Sequence, residues 1–252
     1  MRKPQRASLL ASCLLCFACT RGASASASYA KDAAITETGG AVRITANSPR
    51  PLEQMLDALQ RKYGWIVNYE DPQYESAVDV VNAADEKFKV PAGGNFTFEF
   101  SGAAPDEEKT LQHLVDAYNK SKNPGHFELR RTEDSVFNVV GIAAHKDNGD
   151  LVQQKAPFDR PLTLPSQEQT IDETVTHICA ELSKRGHSKV VLAISPRKLL
   201  SQNRVVVGGN QVAARELLAK SLLVVHGKIY WRLLFDPTSK SYYLDLHLAH
   251  AS

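Results

Sequence analysis

The sequence predicts an α+β fold built twice in tandem, as two small β-α-β-β-α-β-β modules whose helices pack on small sheets. Three observations carry this. Apolar residues recur at helical spacing in four separate stretches. Alternating or β-branched runs flank each stretch. The order of these runs over 41–141 then recurs over 162–248.

Ordered structure is expected from "AVRITA" (41–46), where Val42 and Ile44 alternate with polar residues. Pro51 suits a first helical turn, where its missing N–H costs nothing. Leu52, Met55, Leu56, Leu59 and Tyr63 form one apolar stripe, and Gly64 caps it. "WIVNY" reads as a strand. Residues 73–95 carry no sustained period. "FTFEF" alternates cleanly. Asp106, Glu107 and Glu108 complement the start of a second helix striped by Leu111, Leu114, Val115 and Tyr118. "HFELRR" and "SVFNVVG" form a hairpin.

Residues 142–161 hold many turn formers and are expected to be a linker, the first site of proteolysis between two independently packed modules. The second module repeats the order. "LTL" is a short strand. Ile171, Val175, Ile178 and Leu182 stripe a helix that ends near Gly186, and "KVVLAI" is a strand. "RVVVGG" is another strand, and a helix follows with Asn210 as N-cap and Gly227 as C-cap. "KIYWRLLF" and "SYYLDLHL" make a hairpin, and 249–252 is a tail.

Composition bounds function. The 252 residues carry a net charge of +2, which gives no basic field for nucleic acid. "MRKPQR" precedes a short apolar run, and then small residues spaced A-x-A, so 1–27 is expected to be an export signal cleaved after Ala25 or Ala27. Residues 28–40 should be a flexible segment. The alternative, a lipid anchor at Cys13 in "LASC", has very little apolar chain before it. Cleavage leaves Cys179, expected to be a buried small hydrophobe, as the one cysteine. The mature chain is expected to be periplasmic or secreted and to hold no membrane span.

"ITANSPRPLEQMLDALQRKYGWIVNYE", followed by "FTFEFSGAAPDEEKTLQHLVDAY" and "FELRRTEDSVFNVVG", resembles the short N-terminal domain of secretins and TonB-dependent receptors. The similarity spans 42–141, and more loosely 162–248, with no secretin ring or barrel after it. In that family the domain docks periplasmic or inner-membrane proteins. The resemblance therefore implies a binding module in a bacterial envelope, possessing no catalytic residue, with an envelope protein as partner and a place beside a secretion or transport system.

The residues themselves name no reaction. The eight histidines form no H-E-x-x-H pair, and His247 and His250 near the terminus read as solvated side chains and not as metal ligands. Gly208 and Gly209 before a helix could hold an anion, but they lack the phosphate-loop pattern and read as a turn. No cofactor, metal or catalytic residue is assigned. The alternative to a docking protein is a ligand-binding protein or enzyme with its site at the junction of the modules. One surface stands out. In the last hairpin, Ile229, Trp231, Leu233 and Phe235 line one strand face, while Tyr230 and Leu234 flank Arg232 on the other, with Tyr243 on the partner strand. Helices on one side cover one face only. Tyr230, Trp231, Arg232 and Tyr243 are therefore candidates for packing between modules or for a partner surface.

Overall fold

A computed structural model describes residues 32–83, 87–102, 104–132, 136–225 and 229–249. The expected export signal, Gly227 and His250 lie outside the described residues. The chain is α+β.

Order begins earlier than expected. Ala34–Thr38 (β1) folds back on Ala41–Ala46 (β2) through Gly39 and Gly40, both at positive φ, the conformation a two-residue hairpin needs. The helix Pro51–Tyr63 (α1) starts at Pro51 and ends at Gly64 in the left-handed conformation. Val67–Glu70 (β3) follows. Within the span that lacks periodicity, Val80–Asn82 (β4) pairs with Lys89–Pro91 (β5). Phe96–Ser101 (β6) pairs with β2. Glu107–Asn119 (α2) is capped by the Asp106 side chain. His126–Arg131 (β7) and Phe137–His145 (β8) close this half as a hairpin.

The segment expected as a linker is built into the fold. β8 runs on to His145, Leu151–Gln153 (β9) pairs with it, and Pro157–Asp159 forms a 3₁₀ turn. Phe158 in that turn is fully buried. Phe158 supplies the apolar anchor that turn-residue composition hides.

In the second half, Pro161–Thr170 (β10) is much longer than the "LTL" expected. It pairs with Arg204–Ala213 (β12). Between them lie Ile171–Arg185 (α3), opened by a Thr170–Glu173 capping box, then Lys189–Ile194 (β11) and the short helix Arg197–Gln202 (α4). The last helix, Ala214–Leu223 (α5), starts four residues after the expected Asn210 cap, because β12 continues along β10. The Asn210 side chain instead accepts a hydrogen bond from Thr163. Ile229–Asp236 (β13) and Ser241–Leu248 (β14) form the final hairpin.

Each half repeats one topology. In the first, β3 lies parallel to β8, and β7 is antiparallel to β8. In the second, β11 lies parallel to β14, and β13 is antiparallel to β14. The halves do not pack independently. β13 runs parallel beside β3, which fuses both sets into one seven-stranded sheet of order β11-β14-β13-β3-β8-β7 with β9 beside β8. In this register Arg232 sits beside Tyr69 and Leu233 beside Glu70. Side chains of adjacent residues alternate between faces. Tyr69, Val67, Val139 and Phe127 join the core of α1, α2 and the β1-β2-β6 sheet. Trp231, Leu233 and Phe235 join the core of α3, α5 and the β10-β12 pair. The helices of each half therefore cover opposite faces of the shared sheet. Gly141 permits the close approach at the end of β3, where a side chain would meet Pro72 and Asp71.

Candidate binding surfaces

The junction concentrates the buried charge of the molecule. On the α1 side, Arg232 is 1% exposed. Its Nη2 donates to Asp57 Oδ1 at 2.5 Å, and its Nη1 donates to the Val67 carbonyl at 2.6 Å. Glu53 Oε1 stands 3.6 Å from Nε, and the Tyr230 ring lies 4.6 Å from the guanidinium. At the end of β3, Asp71 is fully buried. It accepts from Arg50 Nε at 2.7 Å, Tyr69 Oη at 2.7 Å and the Phe235 N–H at 2.9 Å. On the opposite face, Arg215 of α5 pairs with the fully buried Glu70 and with Asp159. Asp159 also takes Arg130 Nη1 at 2.6 Å. Burial raises the Glu70 carboxyl above its ordinary value, and Arg215 opposes that.

Three of the four sequence-predicted surface residues belong to this junction. Tyr230, Trp231 and Arg232 are 8%, 2% and 1% exposed, so they form no free surface. The reason is α1 of the first half: its acidic Glu53 and Asp57 reach across the joint to Arg232, while Trp231 packs edge-on to Phe158 at 5.0 Å on the other face. Tyr243 is the half-exposed member of the set. It shares a face with Tyr230 and Arg232, but lies one strand further from α1.

Glu53 makes the junction sensitive to pH. Burial, with Asp57 nearby, pushes its carboxyl up to about 8, against the pull of Arg232 and Arg50. A carboxyl raised from 4.5 on folding favours the fold in its protonated form. That contribution is complete below about 4.5, falls as pH rises, and is gone above about 8. Glu53→Gln should therefore gain on the natural protein across this window. The expected gain is about 1–2 kcal/mol near pH 8, read by urea denaturation at several pH values. Parallel pH profiles for the two proteins would contradict it.

Two surfaces remain open. The first is a groove of about 480 Å³ between β12 and the end of α5, lined by Val205, Val206, Val207, Leu223, Val224 and Lys220, among others. Val206 is 66% exposed, the most exposed of the large apolar residues described. β12 pairs with β10 alone among the described strands, so no described strand takes its other backbone edge. Gly208 lies at a close approach to Ser166 on β10, and Gly209 lies within the same strand. Neither opens a helix, so the anion reading has no helix N-terminus to rest on. The second surface is the outer edge of the large sheet at β11, beside Tyr243.

Among the described residues, no group of three or more His, Cys, Asp or Glu could hold a metal ion, and no helix is long and apolar enough to cross a membrane. Cys179 is buried, and burial pushes its thiol up to about 12. The junction itself holds a cleft of about 50 Å³ beside Asn68, Asn138, Arg215 and Trp231, room for a water or two. The β12 groove was the feature that sequence reasoning missed. "RVVVGG" announced a strand, but not that the strand would stand at an edge. Compared with protein-family models, curated proteins and solved structures, the chain matches none of them.

Proposed function

We propose that the protein is an exported, non-catalytic docking module of a bacterial envelope, which holds a partner protein by adding an extended segment of that partner to the free edge of β12. The observation that carries this is the groove itself: a strand edge with no described strand beside it, bearing the exposed Val206 between the core residues Val205 and Val207 and flanked by the exposed Leu223 and Val224. A free edge supplies backbone hydrogen bonds to an incoming strand, and the apolar flank supplies pockets for its alternate side chains. The charged groups at the junction of the halves are engaged with one another around a cleft much smaller than ligand sites usually are, so they serve cohesion better than turnover. The expected export signal and the resemblance to the secretin N-terminal domain support this compartment and this class of partner.

The test is capture from an envelope extract of the source cells, with the natural protein and with Val206→Asp and Leu223→Asp. Both positions are exposed, so each variant should keep its stability within about 0.5 kcal/mol. A captured protein should be lost from both. Capture indifferent to both substitutions would sink the groove as the docking site.

A further inference from the structure

We infer that β11 is the docking edge for a second copy of this chain, and that two copies join β11 to β11 antiparallel, continuing one sheet through a closed dimer. Strands at a sheet edge are normally blunted by charge, proline or shortness. The opposite edge, β7, follows that rule. Its Arg130 and Arg131 are tied to Asp159 and Glu108 along the strand. β11 carries a bulge between Leu192 and Ile194, but neither a proline nor a charge after Lys189. After Lys189 it reads Val190, Val191, Leu192, Ala193, Ile194, a run suited to a strand covered on both sides. Among the described strands β11 pairs only with β14.

The repeat shows what is missing. The counterpart of β11 in the first half is β3, whose four residues are all buried, with β13 paired along Tyr69 and Glu70. At β11 the equivalent place is open, and Ile194 is 55% exposed. The register with β14 sets Val191 beside Tyr243 and Ile194 beside Asp245, on the face α1 covers further along the sheet. Val191, Ile194 and Tyr243 thus form an apolar strip ending at the open edge.

A second copy fits this edge in two ways. Head-to-tail addition of a neighbour's β7 would repeat the internal joint. However, Glu128 and Arg130 on the face of β7 that would have to seat on the neighbour are engaged with each other and with Asp159. Antiparallel self-pairing needs no such rearrangement. A register centred on Val191 or Leu192 sets Lys189 opposite the neutral Ala193 or Ser195, and a two-fold joint closes on itself.

Sedimentation velocity of the purified full chain over a range of concentrations should show monomer and dimer only. Hydrogen exchange at 190–194 should slow as the dimer fills. Ala193→Lys sets its charge opposite Lys189 of the other copy in the register centred on Val191, and Ile194→Lys puts a charge in place of the exposed apolar end of the strip. Each should weaken dimerisation roughly tenfold or more, with no shift in the melting temperature at concentrations where the natural protein is monomeric. A chain that stays monomeric at every concentration overturns the inference, as do open-ended oligomers. So does a dimer that ignores both substitutions and leaves exchange at 190–194 unchanged.

Discussion

Arg232→Ala should cost about 3–5 kcal/mol of folding stability, the range found when one member of a buried ion pair is removed. The substitution leaves the half-buried Asp57 without its 2.5 Å partner and the buried Val67 carbonyl without its donor. It also takes the cation from beneath the Tyr230 ring. Most of the expected loss is the penalty for the groups left behind and not the net worth of the pair. A double-mutant cycle separates the two. Arg232→Met with Asp57→Leu should lose clearly less than the two single changes summed, because both charges leave together. A loss below about 1 kcal/mol for Arg232→Ala, by chemical denaturation, would mean that the joint does not depend on this residue.

Trp231→Ala should be equally costly, about 3–5 kcal/mol, through a different term. Trp231 is 2% exposed and meets the Phe158 ring edge-on, with the Arg215 guanidinium 5.5 Å from its own ring. Its loss opens a cavity bordered by the 3₁₀ turn, α5 and the sheet at once. The shape of the transition is as informative as its midpoint. Because β13 lies between β14 and β3, loosening it should release both halves together, in one calorimetric transition for natural and variant proteins. Two separate transitions, with only the later half shifted, would instead describe halves that fold alone.

The four longer helices were legible because each has a stripe that water cannot tolerate, while the short α4, with Leu200 alone buried, was not. Leu52, Met55, Leu56 and Leu59 fix α1, and Ile171, Val175, Ile178 and Leu182 fix α3, whatever surrounds them. The two-faced apolar pattern of β13 was legible too, and correctly demanded a second covering layer. Which layer could not be read, because a strand pattern gives the demand for burial and not the identity of the neighbour. Strand pairing was the least visible part. Nothing in "VNYE" announces that β13 will lie beside it, and nothing in "RVVVGG" announces a free edge. The start of α5 was misplaced for a related reason. Asn210 is a good local cap, and only the distant partner β10 makes extended backbone the better choice there.

The parallel seating of β13 on β3 also governs the order in which the molecule can be completed. The Trp231 N–H meets the Asn68 side chain across 163 residues of sequence. A chain synthesised N-terminus first therefore delivers β3 long before its neighbour. Until the last tenth or so of the polypeptide has emerged, β3 is an unclosed apolar edge, with Asp71 and Glu70 lacking the donors that Phe235 and Arg215 later bring. Such an intermediate is held back from completion by loop closure and exposed to mispairing while it waits. Delivery of β13, and not the folding of the first half, is then the step that commits this protein to its final form.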